Sequence, residues 1–584
     1  MTKGNQMNKS SLQSRLHAAF QKIAPAIPVL LICGISTIAP AHATQGTHFK
    51  ALGPDKGQVN ADALFYPNDF EAAAAAHPAA DGTVFFSLCR RAPFNSTSLY
   101  APLGATNTDA VVGDTKFTLA DGSKCYNPQN EQNIVVNPVN DSNIVTSAND
   151  YRYGFRALVY VSNDAGASFT NVLLPGWDPA TGGSGQFKHV QAGGDPVLAF
   201  SPDGKTLYYS ALVYDFSVPN QTPSGVAVAT STDGGTSWTA PTMVYYEASN
   251  NFFNDKQWIA AGKDGAVYVT WTSFKSNRPN GYLSSNIVVS SSQDYGRSWS
   301  APAAVSDAAH PYDQGSSTAV APDGALYVAY EGNQAGDVYK DQIVLARSTD
   351  GGKTFTTKEL GRVYDDVGCY PLNVSQGRAR LSFEQFRVNS FPSLAIDPTT
   401  GQMVAVWADD QANAGCSSGA SSFAGITSNQ VKSVSSADGV QWTAPKVITS
   451  GADKVFPAAG MNAGKTVVSY YTRNFSPVPT ATDHSCSQAK LDTTTGAVVY
   501  PSAAPVCLDY AVSISYDGGG KFSDEKRVST QSSNPYIQFS GSFIGDYTGA
   551  AVDSKGNGYT VWTDFRGLPG KTTPNQDTLV GKGF

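Results

Sequence analysis

One eight-residue pattern recurs along this chain, and it constrains the fold more than any other feature of the sequence. The pattern is Ser-x-Asp-x-Gly-x-x-aromatic, and its copies read SNDAGASF at 162–169, STDGGTSW at 231–238, SQDYGRSW at 292–299, STDGGKTF at 348–355 and SYDGGGKF at 515–522. A sixth copy, SSADGVQW at 435–442, has one residue fewer between its Asp and its Trp. Such self-similarity is typical of folds that use one structural unit many times.

Each copy has the chemistry of a tight hairpin turn. An Asp side chain accepts hydrogen bonds from the N–H groups of its own turn, and Gly adopts the positive φ that such turns need. The closing aromatic ring can pack into a neighbouring layer. We therefore predict a structural role for the six turn aspartates, Asp164, Asp233, Asp294, Asp350, Asp438 and Asp517.

A second pattern repeats seven times beside the first. A short strand of small residues leads to a Gly, Pro or Asp turn and then to an alternating strand rich in Val, Tyr and Trp, at 133–150, 196–212, 258–274, 318–333, 392–410, 457–474 and 549–566. Alternation with period two indicates half-buried strands. Four-stranded units arranged radially form a β-propeller. We predict an all-β propeller of seven four-stranded blades, with six blades as the alternative.

The seventh unit has only three strands of its own. We expect an N-terminal strand, TVFFSL at 83–88 or KFTL at 116–119, to complete it and close the ring. Closure removes the exposed strand edges that favour aggregation.

The first 43 residues have the features of an export signal. Four basic residues and no acidic residue accompany an apolar run at 23–38, and Ala41-His42-Ala43 provides a cleavage site. The run is too short for a membrane span. We predict a signal peptide at 1–43 cleaved after Ala43, an N-terminal segment at 44–129 that supplies the closing strand, a propeller at 130–584, and a secreted or periplasmic location. A lipoprotein anchor at Cys33 is the weaker alternative, because Ile32 before it is not small.

The charge of the chain argues against some function classes. Charged residues are 15% of the chain, against roughly 25% in typical proteins. With 40 Lys and Arg against 47 Asp and Glu, a basic nucleic-acid binder is not expected. Loss of the four basic residues of the leader changes the net charge from -7 to -7 - 4 = -11.

Six cysteines remain after the predicted cleavage, an even number that suits disulfides in an exported chain. No CxxC motif and no Cys/His cluster is present, so we expect neither a metal site nor a cofactor. From their places in the predicted loops we expect the pairs Cys369–Cys416, Cys486–Cys507 and Cys89–Cys125.

The predicted topology puts the long connections at 359–389, 408–430 and 471–510 on one face of the ring. Long loops on a rigid scaffold commonly carry function. The starts of the first strands and the ends of the second strands meet the same face, and both are polar. The starts contain Glu131, Asp195, Asp255 with Lys256, Asp313, and Asp546 with Tyr547. The ends contain Asp150 with Arg152, Glu331, Asp409-Asp410, Tyr471 with Arg473, and Asp564 with Arg566. The alternative reading is solvation of the pore mouth and ion pairing between blades.

The hairpin copies resemble Asp-boxes, the BNR repeats of the sialidase superfamily, and the resemblance covers roughly residues 130–584. Enzymes of that family hold the substrate carboxylate with three arginines. A Tyr polarised by a Glu is their nucleophile, and an Asp is their acid/base. The resemblance implies Arg152, Arg473 and Arg566 as the substrate-binding residues. It also implies Tyr471 or Tyr547 as nucleophile, Glu331 or Glu131 as its partner, and Asp150 or Asp195 as the acid.

The resemblance implies a secreted glycoside hydrolase that releases terminal sialic acid or a related acidic sugar from glycoconjugates. Because Asp-boxes also occur in non-catalytic propellers, a carbohydrate- or protein-binding propeller is the main alternative. An acidic-polysaccharide hydrolase or lyase is a third reading. The expected partner is a sialylated or acidic glycan; we expect no nucleic-acid partner, no membrane span and a monomer.

Overall fold

The structure is a computed structural model of the chain. It describes residues 83–85, 103–118, 124–153, 156–192, 194–215, 223–249, 251–276, 282–335, 337–364, 369–371, 379–410, 425–492, 494–495, 497–566 and 575–584. The expected leader at 1–43, and with it Cys33, lies outside these residues.

The chain is an all-β, seven-bladed propeller, as predicted. Each blade is built around an antiparallel sheet of four strands. Blades 1 to 3 contain Gln129–Asn137, Asn140–Asp150, Leu158–Ser162, Thr170–Leu173; Val197–Phe200, Leu207–Tyr214, Ser224–Ser231, Thr242–Glu247; and Phe252–Ala261, Val267–Ser276, Tyr282–Ser292, Ala303–Ala304. Blades 4 to 6 contain Asp313–Val320, Leu326–Gln334, Asp337–Ser348, Thr356–Arg362; Ser393–Ile396, Met403–Asp409, Gln430–Ser436, Lys446–Thr449; and Lys454–Asn462, Lys465–Thr472, Asp509–Ser515, Lys526–Arg527. Blade 7 contains Gly549–Val552, Gly558–Asp564, Asp577–Lys582 and Thr106–Asp109.

The first strands of the blades form the inner wall of the ring. Each one contacts the first strand of the next blade, and the first strand of blade 7 contacts that of blade 1. The ring is closed by an N-terminal strand, as predicted, but not by either segment that the sequence suggested. Thr106–Asp109 pairs with Asp577–Lys582, whereas Thr83–Phe85 pairs with Lys490–Asp492 and Lys116–Thr118 forms a hairpin with Lys124–Tyr126.

The remaining elements are short. Val498–Val499 adds a third strand to the small sheet of Thr83–Phe85 and Lys490–Asp492, and Gln191–Ala192 pairs with the second strand of blade 2. Single 3-10 turns are found at Tyr151–Tyr153, Pro179–Thr181, Gly185–Lys188 and Phe539–Gly541. No helix among the described residues is long and apolar enough to cross a membrane.

The six aspartate turns have the hydrogen bonds that their sequence predicts. In the first, Asp164 Oδ1 accepts from the backbone N–H groups of Ala167 and Ser168 at 3.0 and 2.9 Å, and Gly166 has φ +76°. In the shorter sixth copy, Asp438 Oδ1 accepts from Val440 and Gln441, both at 2.8 Å. The shorter copy therefore keeps the same type of turn.

The hydrophobic core is divided among the interfaces between blades. One cluster joins Tyr208 and Leu212 of blade 2 to Ile259, Val269 and Trp271 of blade 3. The tryptophans of the alternating second strands, Trp271, Trp407 and Trp562, are fully buried. The apolar side of each second strand thus packs against a neighbouring blade, which explains the period-two pattern.

The structure contains the predicted disulfide between Cys486 and Cys507, with a Cα–Cα distance of 4.9 Å. Cys369 is also disulfide-bonded, but its expected partner Cys416 lies outside the described residues. Cys89 and the side chain of Cys125 lie outside them as well, so the third pair stays a prediction.

Candidate functional site

Seven residues, one from each blade, occupy equivalent points on the inner wall of the ring. In blades 1, 3, 4 and 6 this residue lies two positions before the first strand pair that follows the register shift, such as Asn133↔Ser147. In blades 2, 5 and 7 it lies two positions before the first pair of the first and second strands. We call these the hub positions. From blade 1 to blade 7 they are occupied by Glu131, Asp195, Lys256, Gly315, Phe391, Phe456 and Tyr547.

The backbone at most hub positions is left-handed. Glu131, Asp195 and Lys256 have φ of 58°, 63° and 54°, and Phe456 has φ 53°. A β-bulge in the first strand produces this conformation, because the pairing register shifts at the same place in blades 1, 3, 4 and 6. Non-glycine residues with positive φ are costly, and bulges often turn a side chain toward a site.

Two carboxyl groups from neighbouring blades lie against each other in the hub. Glu131 and Asp195 are both fully buried. Burial, and then the charge of Asp195, raise the pKa of Glu131 well above its usual range. Glu131 accepts hydrogen bonds from Asn149 Nδ2 at 2.6 Å and from the backbone N–H of Asp546 at 3.2 Å. Among the described residues, no N–H group and no hydroxyl group donates to either oxygen of Asp195. A hydrogen bond from protonated Glu131 is therefore the expected link between the two carboxyl groups.

A third carboxylate, Asp546, is paired with an arginine from an insertion. Arg387 donates from Nε and Nη2 to its two oxygens at 2.8 and 2.6 Å, and both side chains are buried. The guanidinium also lies 4.6 Å from the ring centre of Phe543. Arg387 belongs to the connection before blade 5, which the sequence marked as unusually long.

The ammonium group of Lys256 lies against the aromatic rings of the hub. Lys256 Nζ lies 3.4 Å from the ring centre of Tyr547 and 5.7 Å from that of Phe391. Because these residues come from blades 3, 7 and 5, their side chains meet across the hub. Lys256 is 3% exposed, and its ammonium group finds no hydrogen-bond acceptor among the described residues. Trp258 packs edge-on against Tyr547 at 5.8 Å.

We refer to Glu131, Asp195, Lys256, Arg387, Asp546 and Tyr547 as the hub cluster. Burial, and then the charges of Asp195 and Glu131, raise the pKa of Tyr547 well above its usual range, so its phenol stays protonated. Its hydroxyl donates to the carbonyl of Pro196 at 3.4 Å. The structure therefore brings together one candidate of each predicted catalytic type: Tyr547, Glu131 and Asp195.

Each of the three arginines predicted to bind substrate has a carboxylate partner in its own blade or at the boundary with the preceding one. Arg152 is paired with Asp150 at 2.6 Å with both side chains fully buried, and Arg566 is paired with Asp564 at 2.7 Å. Arg473 forms an ion pair with Asp453 and donates to the carbonyl of Ser382 at 2.7 Å.

The other predicted residues lie away from the hub cluster. Tyr471 packs against Tyr510 and donates to the carbonyl of Thr563 at 2.8 Å. Asp150 accepts from Tyr160 at 2.7 Å as well as from Arg152. Glu331 is half-buried on the second strand of blade 4, opposite Gln314.

A second group of buried charges, the loop cluster, was not predicted. It consists of Arg380, Glu384, Arg473 and Tyr536. Glu384 is fully buried 3.9 Å from Arg473, and burial raises its pKa well above the usual range. Tyr536 donates to the carbonyl of Phe383 at 2.8 Å and accepts from Gln488 at 3.1 Å. The length of the insertion at 359–389 marked the segment with Arg380 and Glu384, and Arg473 was a predicted substrate-binding residue, but no sequence signal placed the four residues together.

Among the described residues, no group of three or more His, Cys, Asp or Glu could hold a metal ion.

No family model matches the chain, and no curated protein matches it. Solved structures of similar fold include a protein of unknown function from Dyadobacter fermentans, which is 17% identical, with 63% of this chain and 95% of that one covered and a TM-score of 0.39. The Hadza microbial sialidase Hz136 is 14% identical over 75% and 73% of the two chains, with a TM-score of 0.38. An α-L-arabinanase from Penicillium chrysogenum is 14% identical over 64% and 94%, also with a TM-score of 0.38. At this level of similarity, the activities of these proteins do not transfer to the chain.

Proposed function

We propose that this protein is an exported glycoside hydrolase whose reaction centre is the hub cluster. One observation carries the proposal: two buried carboxyl groups from adjacent blades, Glu131 and Asp195, lie together with one proton expected between them. Most glycoside hydrolases need one carboxyl group that holds a proton and one that does not, about 5 Å or more apart, so Glu131 and Asp195 must separate around a bound sugar. Strained backbone at both residues is the second support.

The environments of the two groups assign their roles. Glu131, with its raised pKa, is the general acid that protonates the leaving oxygen. Asp195 is the second carboxylate, which activates water or attacks the sugar carbon, because among the described residues only the proton of Glu131 is available to its oxygens. Arg387 forms an ion pair with Asp546 beside them.

The more specific form of the proposal, the sialidase form, is release of terminal sialic acid. It would use Tyr547 as nucleophile with Glu131 as its partner and Asp195 as acid, since a neutral phenol can approach the anionic centre of a sialoside. The proximity of these three groups supports that form. The substrate carboxylate would then require arginine contacts other than the existing ones of Arg152, Arg473 and Arg566.

The test is turnover of fluorogenic glycosides, a sialoside among them, by the exported protein. We expect Glu131→Gln and Asp195→Asn to lower kcat by about 10²–10⁴ without loss of folding, because each removes a proton-transfer group. Asp524→Asn is the matched control, since Asp524 is exposed on the outer part of blade 6. Tyr547→Phe separates the two forms, because only the sialidase form loses its nucleophile. Equal turnover by wild type and Glu131→Gln would refute the proposal.

A non-catalytic binding propeller is the second candidate. It is favoured by the burial of the hub cluster, whose charged members are at most 5% exposed. In that case the cluster would only hold blades 7, 1, 2 and 3 together. Glycan or protein binding by a protein that cleaves no glycoside would select this candidate.

A further inference from the structure

The hub cluster contains two polar groups whose hydrogen-bonding capacity is not filled. Lys256 Nζ has no hydrogen-bond acceptor among the described residues, and Asp195 has no described donor other than the proton shared with Glu131, which leaves lone pairs of its two oxygens free. Buried polar groups without partners are rare in folded proteins and need an explanation. A ligand that accepts from the ammonium and donates to the carboxylate would satisfy both.

Hydroxyl groups do both, because each is a donor and an acceptor. A ligand carboxylate could accept from Lys256 but could not donate to Asp195. A ligand ammonium could donate to Asp195 but could not accept from Lys256. The complementary ligand is therefore rich in hydroxyl groups.

The charge balance of the hub cluster also disfavours an anionic ligand. Its three carboxyl groups and two cations give a formal charge of 2 - 3 = -1, or zero with the proton on Glu131. Arg387 donates to Asp546 from both Nε and Nη2. Lys256 is therefore the cation of the hub cluster that has no carboxylate contact among the described residues. A ligand carboxylate would add an uncompensated negative charge where charge separation is expensive.

The aromatic side of the hub suits the apolar face of a sugar ring. Trp258 and Phe391 are half-buried and lie beside the buried Lys256 and Tyr547. Gly315 makes room for Phe391, since a Cβ at residue 315 would lie 2.3 Å from the ring. Sugars have hydroxyl edges and C–H faces, and the hub positions present acids on blades 1 and 2 and aromatic rings on blades 5 to 7.

We infer that the hub binds an uncharged sugar, held between Lys256 and Asp195 and packed on Trp258 and Phe391, and not a sialic acid or uronic acid. This inference rests on the proposed function for its location, and it names the substrate class. It departs from the acidic sugar that the Asp-box resemblance implied.

The first experiment measures binding with the exported Glu131→Gln protein, which should hold its ligand without cleaving it. The probe is a glycan microarray with neutral oligosaccharides, the sialylated forms of the same cores and uronic acid oligomers. We expect signals on neutral glycans, with sialylation or a uronic acid lowering them. Lys256→Met in the same background should weaken the signal by about tenfold or more, the worth of a hydrogen bond to a charged group. Lys353→Met, at an exposed lysine of the blade 4 aspartate turn, is the matched control.

The second experiment is hydrolysis of neutral and acidic fluorogenic glycosides by the wild-type protein. Binding of neutral glycans without any hydrolysis would leave the inference standing and refute the proposed function. Hydrolysis confined to sialosides or uronides would keep the function and overturn the inference. Binding confined to acidic glycans, or no binding to the array, would also overturn it.

Discussion

At the scale of single residues, an arginine near the centre of a propeller can stabilise the fold or bind a substrate. Its role depends on whether a carboxylate of the protein already pairs with it. Asp150 and Arg152 are two positions apart, as are Asp564 and Arg566. In both pairs the Asp accepts from the backbone N–H of the Arg, at 3.0 and 2.9 Å, and from its guanidinium. The repeated geometry is that of a structural clamp at the end of a second strand.

We therefore expect Arg152→Met to destabilise the protein by about 3–5 kcal/mol, because it leaves Asp150 as an uncompensated buried charge. Urea unfolding measures the change. Adding Asp150→Asn should recover part of the loss. A substrate-binding role for Arg152 would give the opposite pattern, with KM raised and the unfolding midpoint unchanged.

The individual charged residues of the ring could be named from the sequence, but the ion pairs between them could not. Glu131, Asp195 and Tyr547 were recognisable because they precede alternating strands. The partners of Arg473 and Asp546 were not, since Asp453 and the insertion residue Arg387 reach them through tertiary packing. Asp150 and Asp564 lie two residues before Arg152 and Arg566, but the sequence did not show that each Asp would pair with its Arg. Local patterns carry no information about that packing.

At the scale of the element, the aspartate turns make each outer hairpin dependent on an ionised side chain. Hydrogen bonds from the Ser298 side chain and then from its backbone N–H lower the pKa of Asp294 to about 2. The corresponding bonds from Ser168 lower the pKa of Asp164 to about 2. A group whose pKa is lower in the folded state stabilises the fold above the unfolded value near 4, and this contribution is lost as pH falls toward 2.

We expect Asp294→Asn to lower Tm at pH 7, because the amide is a weaker acceptor for the turn N–H groups. The difference in Tm between wild type and variant should shrink between pH 4 and pH 2. Differential scanning calorimetry over that range measures it, with Asp524→Asn as control. A difference in Tm that is constant with pH would show that the turn does not depend on the charge.

At the scale of the whole molecule, the ring depends on the contact between its N-terminal and C-terminal strands. Thr106–Asp109 supplies the fourth strand of blade 7, and Asn107 also joins it to blade 6 through Val528 and Thr530. The seven-fold repeat predicted that one strand was missing. The choice of segment was wrong because 106–109 is short and polar, without the alternation that marks the other strands.

Prolines at both 107 and 108 should therefore open the ring, because one of the two adjacent N–H groups belongs to the strand ladder. We expect a markedly lower Tm and faster proteolysis of the N-terminal segment. The pair Asn107→Ala and Thr108→Ala, which keeps the backbone donors, should lose less. Equal Tm values for the two double variants would show that closure does not depend on this pairing.

The hub positions also have a consequence for how such a protein can change. The seven hub positions occupy equivalent points of the ring, and five of them, Glu131, Asp195, Lys256, Gly315 and Phe456, share a left-handed backbone. Exchange of Lys256 for another residue would alter the chemistry of the centre, whereas Phe456 also packs on Tyr471 in the hydrophobic core between blades 6 and 7. A propeller of this kind can therefore acquire a new ligand by a single substitution at one hub position, without remodelling its loops.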